Sequence, residues 1–143
     1  DFAPVARVTV TPMVVAAGPK VSAATVADTV ALMRERPAGA LNHGTAGLGT
    51  VTHLASELFD ARLGTRMTQV HYRGTGPMIT ALISGEVDLA VTPLPSVEAQ
   101  ARDGRLRILG VASAERVAAL PGVPTVAEAA GLPGFEADIW FGM

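Results

Sequence analysis

Short apolar runs and longer stretches with helical spacing alternate along the chain, and that alternation predicts most of its elements. Val5 to Thr11 and Met13 to Ala17 predict two strands, separated by Pro12, which lacks an N–H and so belongs at the edge or break of a sheet. Thr25 predicts a helix N-cap with Asp28 three residues on; Val26, Val30 and Met33 then recur at helical spacing until Pro37. Leu41 to Gly44 predicts a strand. After it, Thr50 opens a helix with Val51, Leu54, Ala55, Leu58 and Phe59 on one face, Ser56, Glu57 and Asp60 on another, and Gly64 as its C-cap. The pattern then repeats. Met67 to Tyr72 is a strand, Arg73 to Pro77 a glycine turn, and Met78 to Ser84 a helix with Pro77 in its first turn. Val87 to Val91 is a strand, Thr92 to Pro95 a turn, Ser96 to Ala101 a helix, and Leu106 to Ala112 a strand. From Ala114 the alternation stops. Thr125 with Glu128 predicts one short helix to Ala130, and Phe135 to Phe141 an aromatic, strand-like end.

Strands alternating with helices through short turns predict an α/β fold: a doubly wound, mostly parallel sheet with helices on both faces. Ligands of such sheets bind beyond the carboxyl ends of the strands. The turns that follow those ends are Thr45 to Gly49, Arg73 to Gly76, Thr92 to Leu94 and the one starting at Ser113. Remote in sequence, they are expected to share one rim.

Composition narrows the chemistry. A length of 143 residues suits one domain, and a hydrophobic fraction of 49% with 4% aromatics predicts a core of Ala, Val and Leu. The 11 basic and 13 acidic residues are scattered, with no basic run to follow a phosphate backbone, so nucleic acid is not an expected partner. The absence of cysteine excludes disulfides, thiolate metal sites and a thiol nucleophile, but leaves the compartment open. No apolar run approaches the length of a membrane span. The chain starts at Asp1, with neither an initiator Met nor an export signal, which is expected of a mature form or a piece of a longer protein.

The stretch LNHGTAGLGTVTH, Leu41 to His53, concentrates the candidate chemistry. A strand, a glycine turn and a helix N-terminus in that order present unpaired N–H groups, backed by the helix dipole, to whatever sits at the tip. A dinucleotide fingerprint counted from Gly47 and Gly49 fails at Thr52, and Arg73 stands where an acidic ribose partner is expected. There is no phosphate-loop Gly-Lys-Ser/Thr and no Gly-x-Ser-x-Gly elbow. His43, His53 and His71 lack the i, i+4 spacing of a metal motif, so structural or hydrogen-bonding roles are expected of them, with no metal and no cofactor. A rim of small donors remains: Thr45, the amides of Ala46, Gly47 and Gly49, and Thr50 on the first turn; Gly74, Thr75 and Gly76 on the second; Thr92 on the third. Neutral donors at helix N-termini suit a carboxylate, because a hydrogen bond to a charged group contributes about 1.5–3 kcal/mol and the dipole about 0.3–1. His53, in the first helical turn, is placed to brace the loop, and Arg73 offers a positive charge or a solvated turn.

LNHGTAGLGTVTHLASELF, VHYRGTGPMITALISGEVDLAV and SAERVAALPGVPTVAEAAGLPGFEADIWFGM together resemble the Bug-type extracytoplasmic solute receptors, the TctC-like proteins of tripartite tricarboxylate transporters. The resemblance covers essentially the whole chain. It implies a single lobe, residues 1–143, of a two-lobed periplasmic-binding-protein fold of the Venus-flytrap, type II kind, with residues 1–10 and 136–143 as crossovers toward a missing second lobe. It implies a non-catalytic periplasmic receptor that closes over a small di- or tricarboxylate and delivers it to the membrane components of a transporter. The turns at Thr45 to Thr50, Arg73 to Gly76 and Thr92 would then form half of the site. Thr92 stands where many relatives carry an acid, which favours an amine-free acid as ligand. A homodimer through the exposed cleft face is a further expectation. A sensory domain of the same fold is the alternative reading, and an enzyme acting on a carboxylate the third.

Overall fold

The computed structural model describes residues 5–142. Its strands are β1 (Arg7–Thr11), β2 (Met13–Ala17), β3 (Asn42–Thr45), β4 (Thr68–His71), β5 (Leu89–Pro93), β6 (Arg107–Val111) and β7 (Ile139–Gly142). The helices are α1 (Val26–Glu35), α2 (Val51–Leu63), α3 (Thr75–Ser84), α4 (Leu94–Arg102) and α5 (Val126–Ala130). Five strands form one sheet in the order β4-β3-β5-β2-β6, and β1 pairs with β7 in a separate antiparallel ribbon. Pro12 lies at the break between the two sheets, as its missing donor requires.

Four strands of the large sheet run in one direction; β2 alone opposes them, paired antiparallel to both β5 and β6. The expected mostly parallel sheet is therefore present, with one reversed strand at its interior. MVVAA suits that position because every residue of β2 is fully buried and apolar. Met13, Val15 and Ala17 face a core shared with α1, α2 and α5, whereas Val14 and Ala16 face α3 and α4. Helices thus cover both faces. Phe59 packs edge-on against Phe135 at the centre of the first core, with ring centroids 6.2 Å apart.

Local chemistry sets the helix ends. Thr25 and Asp28 form a reciprocal capping box on α1, and Thr125 and Glu128 another on α5, so each helix start satisfies two orphan donors. Gly64 and Gly85 adopt left-handed φ angles of 64° and 73° and close α2 and α3. Several boundaries differ from expectation: β1 starts at Arg7, β5 at Leu89 and β7 at Ile139, each later than expected, and two others have a clear cause. α3 begins at Thr75, so Pro77 occupies its third position, still among the donors that need no intrahelical partner. β5 runs on through Pro93 straight into α4, because Met13 and Val14 of β2 continue the pairing to Pro93 and Thr92 where a turn was expected.

The ribbon of β1 and β7 holds residues 7–10 and 139–142 of the expected crossovers; Asp1 to Pro4 and Met143 lie outside the described residues. It leaves Val8, Trp140 and Phe141 each about 60% exposed. Ser113 donates to Asp138 Oδ1 at 2.6 Å and the Ala137 amide to the Ala112 carbonyl at 2.8 Å, which tie the approach to β7 to the end of β6. No helix among the described residues is long and apolar enough to cross a membrane.

Candidate functional site

The parallel pair β3 and β4 aligns Thr45 with His71, so the loops leaving the two strands start side by side. The Tyr72 amide donates to the Thr45 carbonyl at 2.9 Å and the Gly74 amide to the Ala46 carbonyl at 3.1 Å, which lock one loop to the other. Gly47, Gly49 and Gly74 have φ angles of 136°, 75° and 115°, a region costly to any residue with a Cβ. The rim expected from sequence is therefore one continuous structure across the first two turns.

A relay of hydroxyls holds the first loop. Thr50, the N-cap of α2, donates to the Gly47 carbonyl at 2.7 Å, and its oxygen accepts the His53 amide at 3.4 Å. Because that hydroxyl proton is committed to Gly47, Thr52 Oγ1, 2.9 Å away, donates to Thr50 and accepts the Ala46 amide at 2.8 Å. His53 braces the tip as expected: its Nδ1 accepts the Gly49 amide at 3.1 Å, which puts any proton on Nε2, 3.8 Å from Glu57. Ala46 and Gly49, expected to face a ligand, thus spend their amides inside the loop. Among the described residues the amides of Gly47, Leu48, Val51 and Thr52 make no hydrogen bond, and neither do those of Thr75 and Gly76 at the start of α3. Two helix N-termini with free donors, and the positive ends of two helix dipoles, meet at one rim.

The remaining expected residues take distinct places. Thr45 is fully buried and its hydroxyl lies 2.7 Å from His71 Nδ1, behind the loop rather than at its tip. His71 and His53 meet edge to face with centroids 4.8 Å apart. Arg73 is exposed beside Gly74. Thr92 is fully buried on β5 just before α4, not on an open turn, and its hydroxyl has no partner among the described residues.

Thr52 and His43 support the site in ways the sequence pattern did not single out. Fully buried His43 sits on β3 with its Nε2 3.1 Å from the Val91 amide and 2.9 Å from Ser56 Oγ. A backbone amide can only donate, so Nε2 is unprotonated and the ring is neutral; burial pushes its pKa down from 6.5 to about 3. His43 thereby joins β3, β5 and α2 just below the rim.

This arrangement, a mixed α/β sheet with covered faces and open helix N-termini at one rim, is that of a ligand-binding unit of the periplasmic-binding-protein type. The chain belongs to the tripartite tricarboxylate transporter receptor (TctC) family, whose model matches residues 1–143. It is 40% identical over 143 residues to the UPF0065 protein in the tcbD-tcbE intergenic region of Pseudomonas sp. (strain P51), covering all of this chain and 42% of that protein. The structure of R. palustris Rpa4515 with adipate is similar at a TM-score of 0.90 and 36% identity, over 99% of this chain and 47% of that one. MatC (Rpa3494) from Rhodopseudomonas palustris with bound malate is similar at a TM-score of 0.86 and 32% identity, over 97% of this chain and 47% of that one. The chain thus spans somewhat less than half the length of these relatives.

Proposed function

We propose that residues 1–143 form one lobe of a periplasmic receptor that captures a small di- or tricarboxylate between two lobes and delivers it to the membrane components of a tripartite tricarboxylate transporter. The observation that carries this reading is the pair of helix N-termini with free amides, Gly47, Leu48, Val51 and Thr52 on α2 beside Thr75 and Gly76 on α3. Such donors hold a carboxylate by hydrogen bonds and dipole field without a bound metal. Thr45, Ala46, Gly49, Thr50 and His53 shape the loop, Gly74 joins it to the next turn, and Arg73 adds positive potential at the edge. Adipate and malate in the two related structures are acids of this class. The role is binding and release rather than catalysis. The ribbon of β1 and β7, with Trp140 and Phe141 exposed, serves as the crossover to the second lobe.

At Thr92 no carboxylate is available to pair with an ammonium, so amine-free acids are the preferred ligands. Calorimetric titration of the whole protein with succinate, malate, adipate, citrate and aspartate tests this. One or more of the amine-free acids is expected to bind at micromolar strength and aspartate much more weakly. Tighter binding of aspartate, or binding of none of the acids, would overturn the assignment. Residues 1–143 alone are expected to bind only weakly. Micromolar affinity needs about 8 kcal/mol, and half a site must also offset roughly 4 kcal/mol or more of lost ligand freedom.

A further inference from the structure

The apolar face expected of α2 is divided by the fold. Ala55 and Phe59 enter the core together with Leu63. Val51, Leu54 and Leu58 do not: they lie along the flank of the helix, 45%, 60% and 36% exposed. Steps of three and four residues place them in one stripe. Leu48, in the loop just before the helix, is 76% exposed. One turn beyond Leu58 the stripe ends at Arg62, whose guanidinium donates to the Pro133 carbonyl at 2.8 Å. The apolar surface therefore occupies the part of α2 nearest the rim. Beside it, Ala137 and Asp138, which lead into β7, form an open groove of about 190 Å³ with Val51, Leu54, Ala55 and Leu58. Single exposed leucines are ordinary, but a run of them along one groove marks a surface that something covers.

We propose that the second lobe of the same protein covers this stripe when the receptor closes, so that the side chains of Leu48, Val51 and Leu54 act as an apolar latch on the closed form. The inference rests on the two-lobed receptor proposed above. Three observations select this occupant over a second copy of the chain. Relatives are more than twice the length of this chain, which leaves a lobe of comparable size to be placed. Ala137 and Asp138 run directly into β7, a crossover strand, so the chain enters the second lobe beside the stripe. Leu48 and Val51 also contribute free amides to the rim, so a lobe that closes over an acid held there meets their side chains as well. The open form leaves the stripe in water. Covering it stabilises the closed form alone, and affinity for the acid rises by the same factor.

The test uses the whole protein and whichever of succinate, malate, adipate and citrate the parent binds most tightly. Leu54→Gln keeps the helix propensity of the position and removes its apolar surface. Calorimetry should show this variant binding that acid about tenfold more weakly, the factor expected when one largely buried leucine is lost from the closed form. Leu48→Ser should weaken binding in the same direction. Without acid the unfolding midpoints of both variants should match the parent's, because the stripe is then open. A parent that binds while both variants bind equally well would overturn the latch and leave the receptor reading standing; a parent that binds none of the four acids would overturn both. A lowered midpoint without acid would mean a stripe covered at all times, and a parent dimer that Leu54→Gln dissociates in sedimentation would assign it to a second copy; either result overturns the proposal.

Discussion

His43 on β3 and Asp60 on α2 are buried titratable groups whose pKa values move in opposite directions, and this predicts an unusual dependence of stability on pH. His43 is held neutral in the fold, its pKa lowered from 6.5 to about 3 by burial. As the pH falls below 6.5 the unfolded chain takes up a proton that the folded chain refuses, so His43 lowers stability progressively down to about pH 3. Asp60, raised from 3.8 to about 6, does the reverse: between those values the folded chain takes the proton first, so stability rises as the pH falls. Each group contributes about 1.4 kcal/mol per pH unit within its window, and over the shared window from about pH 6 to pH 3.8 the two cancel. The perturbation that separates them is Asp60→Asn, which removes one titration and leaves the other. In the variant His43 acts alone, and stability should fall by about 3 kcal/mol across that window relative to the parent chain. Hydrogen bonds altered by the new amide shift the variant by the same amount at every pH, so only the change in the difference matters. The assay is urea unfolding followed by circular dichroism at pH 7, 6, 5 and 4. Parallel stability curves for the two proteins would refute the assignment of the two burial effects.

The loop and the sheet yield further expectations. Thr52→Val leaves the Ala46 amide without its acceptor and Thr50 without a donor, at a cost of about 1–3 kcal/mol by urea unfolding, and should weaken carboxylate binding by the whole protein at least tenfold. Thr50→Ala, which removes the N-cap of α2, should cost about 1 kcal/mol in the same assay. Gly18→Ala places a Cβ 2.6 Å from the Leu82 carbonyl oxygen and 3.2 Å from that of Val87. Backbone cannot swing aside, so overpacking of at least about 1–3 kcal/mol is expected, read as a lowered unfolding midpoint. Gly49→Ala, at a φ of 75° with open space around the new methyl, should cost about 1–2 kcal/mol through backbone strain alone.

Much of this architecture was legible in the order of residues because local chemistry sets it. The capping boxes at Thr25 and Thr125 and the terminal glycines of α2 and α3 satisfy orphan backbone groups within a few residues, so their signal is local. The direction of β2 was not legible. A fully apolar run reports burial on both faces and says nothing about which neighbours it pairs with or which way it runs. For the same reason β5 extends through Pro93, a continuation imposed by Met13 on the neighbouring strand β2, far away in sequence. At the candidate site the rim of turns and the bracing role of His53 could be read from spacing. The division of labour among the amides could not. Whether Ala46 and Gly49 face outward or bond to Thr52 and His53 depends on side-chain directions that composition does not encode. The role of His43 depends likewise on Val91, brought beside it only by the crossover from β3 to β5.

The reversed strand β2 also governs the order in which the chain can fold. In chain order it is the first strand of the large sheet, yet its partners β5 and β6 are the last two. Until they emerge, MVVAA is an unpaired apolar segment open on both edges and both faces. The pairings that complete the sheet are long-range ones, which close slowly and leave such segments prone to association in the meantime. A ribosome paused between β4 and β5 would therefore hold a chain whose parallel pair β3 and β4 can form while the reversed strand still waits.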